Sequence, residues 1–216
     1  VKRRTLDILV SAGGALLAIL LLVAGLVLTS NANFANDYVK SQLGQQNITF
    51  KTADTLTPEE KAKPCLVEYA GEKLTTGKQA ECYANDFIGL HLESIAGGRT
   101  YADLGAPQMQ LQAQVEEAQK TNDPALPALQ KQLAEISAQR DTVFKGETLR
   151  GLLLTSYGFS EFGRKASQAA VVAYLAAALL LLLSIAGFVH AYRTPKSEPF
   201  APPEGGRAQE DADRPV

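Results

Sequence analysis

Tryptophan is absent from the 216 residues, methionine occurs once, and histidine and cysteine occur twice each. So few nitrogen and sulfur donors leave little material for a metal centre. Charge is scarce as well: charged residues make up 20% of the chain, and 21 Lys+Arg against 23 Asp+Glu give a formal net charge of -2. That near-balance removes the broad positive field with which nucleic-acid binders meet a phosphate backbone, so no nucleic-acid partner is expected. Missing too are GxSxG, a Walker loop, a dinucleotide fingerprint, HExxH and a haem-attachment CxxCH. The sequence therefore assigns no catalytic residue, no cofactor, no metal ligand and no small-molecule substrate.

What the chain does have is two uncharged apolar blocks, Ile8 to Leu28 and Ala169 to Val189, each of 21 residues. At a helical rise of about 1.5 Å per residue, either block matches the roughly 30 Å hydrocarbon core of a bilayer. The first, preceded by Lys2, Arg3 and Arg4, also invites reading as a cleaved signal peptide with Ser30-Asn31-Ala32 as the cleavage site. Its apolar run exceeds the roughly 7 to 15 residues of a signal core, which favours a retained anchor. Basic residues before the first block place the N-terminus in the cytoplasm, and two spans bring the C-terminus back to the same side. Arg164 and Lys165, just ahead of the second block, oppose this orientation, but the first helix usually dominates.

The expected organisation is a cytoplasmic N-terminus (1–7), a transmembrane helix (8–28), an extracytoplasmic helical domain (29–168), a second transmembrane helix (169–189) and a disordered cytoplasmic tail (190–216). Five of the ten prolines fall in that tail, among Glu, Asp, Gly and Arg. The fold class is an all-α membrane protein. Small residues recur at helical spacing in and beside both blocks (Ser11, Gly14 or Ala15, Ala18 and Gly25; Ala166, Ala170, Ala173, Ala177, Ser184 and Gly187), so the helices can pack closely on each other or on a larger complex.

Between the blocks, Thr57-Pro58-Glu59-Glu60 combines a capping box with proline at the first helical position, and Pro64 kinks or restarts that helix. Thr76 to Gln79 is a second capping box, whose helix continues through Phe87 and Ile88 to a Gly97-Gly98 stop. A third helix is predicted from about Pro107 to Lys120. A fourth, capped by Asp123 and beginning with Pro124, carries Leu126, Leu129, Leu133, Ile136 and Val143 at spacings of three and four, interrupted by Arg140. The last two read as a helical hairpin, with a short coiled coil to a partner as the alternative. Strand signal is confined to Asn47 to Lys51. Gly151, Gly158 and Gly163 punctuate the approach to the second block, so Leu152 to Phe162 is expected to lie along the membrane interface.

Cys65 and Cys82 both fall in the exported segment, where an even pair reads as a disulfide; two buried thiols are the other reading. His91 sits one turn from Phe87 on an apolar helix face and reads as a core or interface histidine, since a metal site needs further ligands. Leu149, Gly151, Leu152, Leu153, Tyr157, Phe159 and Phe162, with the neighbouring His91 helix, make the best candidate recognition surface. They hold more apolar side chains than one lipid-facing helix edge needs, with glycines permitting close approach; plain membrane contact is the rival use.

The segments TTGKQAECYANDFIGLHL (Thr75 to Leu92), GGRTYADL (Gly97 to Leu104) and FKGETLRGLLL (Phe144 to Leu154), set between two spans, resemble a family of actinobacterial two-span membrane proteins. Members of that family are mostly uncharacterised and are often labelled aromatic ring-opening dioxygenases. The resemblance implies the same two-span helical fold, with the cysteine pair as a local addition. The label finds no support in the residues, because such oxygenases hold iron through several His and carboxylate ligands and the exported segment has a single histidine. The expected function is a non-enzymatic, membrane-anchored interaction or structural protein, whose partners are the lipid bilayer and a membrane protein or a second copy. The alternatives are an accessory subunit of an actinobacterial respiratory membrane complex and, remotely, a metal-dependent oxygenase.

Overall fold

The computed structural model describes residues 2–195; the expected tail lies mostly outside them. The fold is all-α: α1 Arg3–Gln45, α2 Pro58–Lys61, α3 Pro64–Glu68, α4 Gly77–Cys82, a π-helical turn Tyr83–Ile88, α5 Gly89–Ala96, α6 Gly105–Thr121 and α7 Leu126–Arg193. Two of these, α1 with 43 residues and α7 with 68, are long and apolar enough to cross a membrane. The described residues divide into two compact units, 2–31 with 165–195, and 32–164.

In the first unit the small-residue stripes form the contact between the two helices. Ser11, Ala18, Ala170, Ala173, Ala177 and Ser184 are all buried. The pairing is reciprocal: Gly14 faces Ser184 and Gly187 faces Ser11, so each serine occupies the space that a Cβ on the opposite glycine would fill. Gly25 leaves room for the Tyr174 ring, whose hydroxyl lies 3.0 Å from Thr29 Oγ1. Thr29 in turn donates to the Gly25 carbonyl at 2.9 Å. The large side chains point the other way: Leu9, Val10, Leu26, Val172, Leu175 and Leu182 are each more than half exposed.

The second unit is built around a core of Val39, Leu43, Phe50, Leu66, Leu74, Ile88, Leu92 and Leu153. Both capping boxes form. Thr57 accepts from the Glu60 amide while Glu60 accepts from the Thr57 amide, and Thr76 and Gln79 repeat the exchange. Proline at the first position restarts the chain as α3 at Pro64. The region of strand signal does pair, through Leu74 N–H to Ile48 O, Phe50 N–H to Glu72 O and Gly71 N–H to Lys51 O. This yields one isolated bridge, Thr49 with Lys73, and no strand among the described residues. Gly97 ends α5 in the left-handed region at φ 59°, a conformation that glycine adopts without Cβ strain.

From Gly105, slightly earlier than the sequence indicates, α6 packs along α7. Gln108 Nε2 donates to Ser137 Oγ at 2.8 Å, and Arg140 Nη1 donates to Gln108 Oε1 at 2.6 Å. Arg140, which interrupts the aliphatic series, also lies 4.1 Å above the Tyr101 ring. A small second core joins Ala96, Leu104, Ile136 and Val143.

Two expectations differ from the structure. The glycines at 151, 158 and 163 do not break the chain, and Leu152 to Phe162 is part of uninterrupted α7. An interior glycine costs only about 1 kcal/mol relative to alanine, less than packing returns where close approach is useful. Gly163 shows such use, since a Cβ there would come within 2.9 Å of Ala35 Cβ. Asp123 does cap a turn, accepting from the Ala125 amide at 2.8 Å, but α7 begins at Leu126 rather than Pro124.

Candidate functional site

In the second unit an apolar groove of about 410 Å³ runs between the end of α1, from Tyr38 to Leu43 with Gln46 just beyond the helix, and the Leu149–Phe159 stretch of α7. Leu149, Leu152, Leu153 and Phe159 line one wall; Tyr38, Val39 and Leu43 line the other, with Ile48 contributing from beyond α1. Its polar members, Gln42, Gln46, Thr155 and Ser156, are neutral, so the lining holds no charged residue. Phe34, Tyr38 and Phe159 make an aromatic cluster, Tyr38 and Phe159 meeting edge-on at 5.8 Å and Phe34 stacking on Tyr38 at 5.9 Å. Leu152 is 63% exposed, whereas Leu153 is buried in the core. A helix of this register necessarily puts such neighbours on different faces.

The remaining candidate recognition residues lie elsewhere. Tyr157 packs toward α4: Lys78 Nζ lies 3.3 Å from its hydroxyl and 4.8 Å above its ring. Gly151 has open space around it, and Phe162 is exposed. Four residues of the candidate surface thus converge on the groove, and four do not, His91 among them.

His91 belongs to a second cluster, centred on Glu60. This glutamate is fully buried. Its Oε1 accepts from Lys51 Nζ at 2.7 Å and faces His91 Nε2 at 3.3 Å, while Oε2 accepts from the Thr57 amide at 2.8 Å. Nδ1 of His91 lies 2.6 Å from the Phe87 carbonyl, in the π-helical turn that offsets α5 from α4. Burial pushes the Glu60 carboxyl up, but the Lys51 hydrogen bond, the Thr57 amide and the charges of Lys51 and His91 outweigh it, and the group is held below its ordinary value. With an ammonium on the oxygen that also faces His91, the cluster is an ion-pair tie between the 51–60 segment and α5 rather than an open cation cradle. Capping chemistry pointed to Glu60 as a local residue; nothing in the sequence pointed to Lys51 or His91 as its partners.

Cys65 and Cys82 are joined, with Cα atoms 6.0 Å apart, and fasten α3 to α4. Comparison with protein-family models, curated proteins and solved structures gives no significant match. The functional reading therefore rests on the chemistry of the groove and the two long helices.

Proposed function

We propose that the chain is a membrane-anchored interaction protein, in which the two apolar helices cross the bilayer and the groove of the second unit receives a partner. The supporting observation for anchoring is the inverted distribution of side chains in the first unit, small residues inside and large aliphatics outside. That surface suits hydrocarbon and is costly in water. In this reading Lys2, Arg3 and Arg4 hold the N-terminus on the cytoplasmic side, the C-terminus returns there, and residues 32–164 are outside. Single cysteines at Ser41 and Ser197 in a cysteine-free background test this with a membrane-impermeant thiol probe. Ser41→Cys is expected to label in intact cells and Ser197→Cys is not; the reverse pattern overturns the topology.

The occupant proposed for the groove is a membrane-protein partner that presents a row of aliphatic side chains. An uncharged, aliphatic lining rewards such a segment and penalises a charged one, which would lose its hydration there without gaining a counter-charge. Leu149→Asp with Leu152→Asp should reduce recovery of co-purifying partner in mild detergent by about 10-fold or more, the loss expected when two leucines no longer bury. Membrane insertion and helix content should not change. Undiminished partner recovery removes the groove from the reading. Loss of a defined homo-oligomer instead makes the occupant a second copy.

A further inference from the structure

The disulfide lines a surface cleft of about 320 Å³ that it shares with Lys78, Glu81, Asn85 and Asp86. The Cys65 and Cys82 sulfurs and an Asp86 carboxylate oxygen lie within 4.8 Å of one another. Asp86 Oδ2 approaches Cys65 Sγ to 2.9 Å. A disulfide sulfur carries no hydrogen, so in the oxidised protein this oxygen gains no hydrogen bond from that approach. Its fellow oxygen, Oδ1, faces Lys63 Nζ at 3.5 Å, which holds the carboxylate in place. The three donors come from short, well-anchored elements: Cys65 from α3, Cys82 from the end of α4, and Asp86 four residues further, in the π-helical turn. Once reduced, two thiolates and a carboxylate would be three of the four donors that a tetrahedral cation takes, with water as the fourth.

We propose that the Cys65–Cys82 pair is a redox-gated metal site, in which the reduced sulfurs and the Asp86 carboxylate bind one divalent cation of the zinc class. Opening the bond takes two electrons and two protons from a dithiol reductant. Its thiolate attacks Sγ of Cys65, the more exposed of the pair, and Cys82 leaves as thiolate; the second thiol of the reductant then resolves the mixed disulfide and departs oxidised. Cation binding displaces the two cysteine protons to solvent. Rotation of the cysteine side chains brings each sulfur to about 2.3 Å from zinc and the carboxylate oxygen to about 2.0–2.2 Å. The link between α3 and α4 is thereby kept in both redox states, once as a covalent bond and once through the metal.

The test uses the full chain in detergent, reduced with a phosphine that is then removed, and titrated anaerobically with Zn2+ against a chromophoric chelator. One zinc per reduced chain and none per oxidised chain is expected, with Co2+ giving intense sulfur-to-metal charge-transfer absorption. Asp86→Ala, whose disulfide forms normally, should weaken zinc binding by at least about 10-fold, since even outer-shell losses at such sites reach that size. Several results overturn the proposal: a folded, reduced chain that takes up no zinc, equal affinity in Asp86→Ala, or zinc retained in Cys65→Ser and lost in His91→Ala. Should reduction unfold the unit, recovery of helix content on adding zinc supports the site, and failure to recover refutes it.

Discussion

Leu66→Ala is expected to destabilise the 32–164 unit by about 3–4 kcal/mol, within the range for a buried leucine truncated where neighbours cannot collapse. Leu66 is 1% exposed and sits on a five-residue helix. So short an element has almost no helical stability of its own, and its side chain is what ties it to the core. Collapse into the vacated space is hindered from both sides. The preceding residue, Cys65, is bonded to Cys82, and the following loop is held by the backbone pairing of Gly71 and Leu74 with Lys51 and Ile48. The readout is hydrogen exchange at the amides of Phe50, Gly71 and Leu74, which lie in that pairing. An effect of this size should speed their exchange by about 100-fold or more where opening is at equilibrium. Unchanged protection there would mean that the core does not depend on α3.

How far these features can be read from the chain depends on the separation of the partners. The capping boxes at Thr57 and Thr76 are complete within four residues, and both form as their spacing predicts. The small-residue stripes are legible for a similar reason, since helical periodicity exposes one face whatever packs on it. The groove is not legible, because it pairs Tyr38 to Gln46 with Leu149 to Phe159, more than a hundred positions apart. No local pattern marks Leu152 and Leu153, rather than Leu154, as its lining. Glycine misled in α7 because sequence reports its intrinsic cost and not the approach of Ala35 that offsets it at Gly163. The π-helical turn left no signal either, although it determines where Asp86, Phe87 and His91 lie relative to α4.

Glu60→Gln is expected to give the second large effect, a loss of about 2–3 kcal/mol at pH 7, the scale for a hydrogen-bonded buried charge. Removing one partner of a buried ion pair can cost about 3–5 kcal/mol when the survivor stays dry. Here the Lys51 and His91 side chains retain 36% and 43% exposure, so both can rehydrate, and the lower range applies. Glutamine can still accept from the Thr57 amide, so the capping geometry survives and the loss isolates the charge. The pH dependence fixes the assignment. Because the folded carboxyl is held below its ordinary value of 4.5, its contribution is fully present above that value. It disappears as pH falls through the lower, folded value. The stability difference between wild type and Glu60→Gln should therefore shrink steadily as the pH falls below about 4.5. Taking the difference cancels the exposed carboxyls Asp54 and Asp103, also held low by their hydrogen bonds to Thr52 and Thr100. Thermal unfolding in detergent across this pH range, followed by the near-ultraviolet circular dichroism of tyrosines such as Tyr69 and Tyr83 beside the core, measures the difference. A gap that stays constant into strong acid would show that the glutamate is held by its shape and capping bond, with no contribution from its charge.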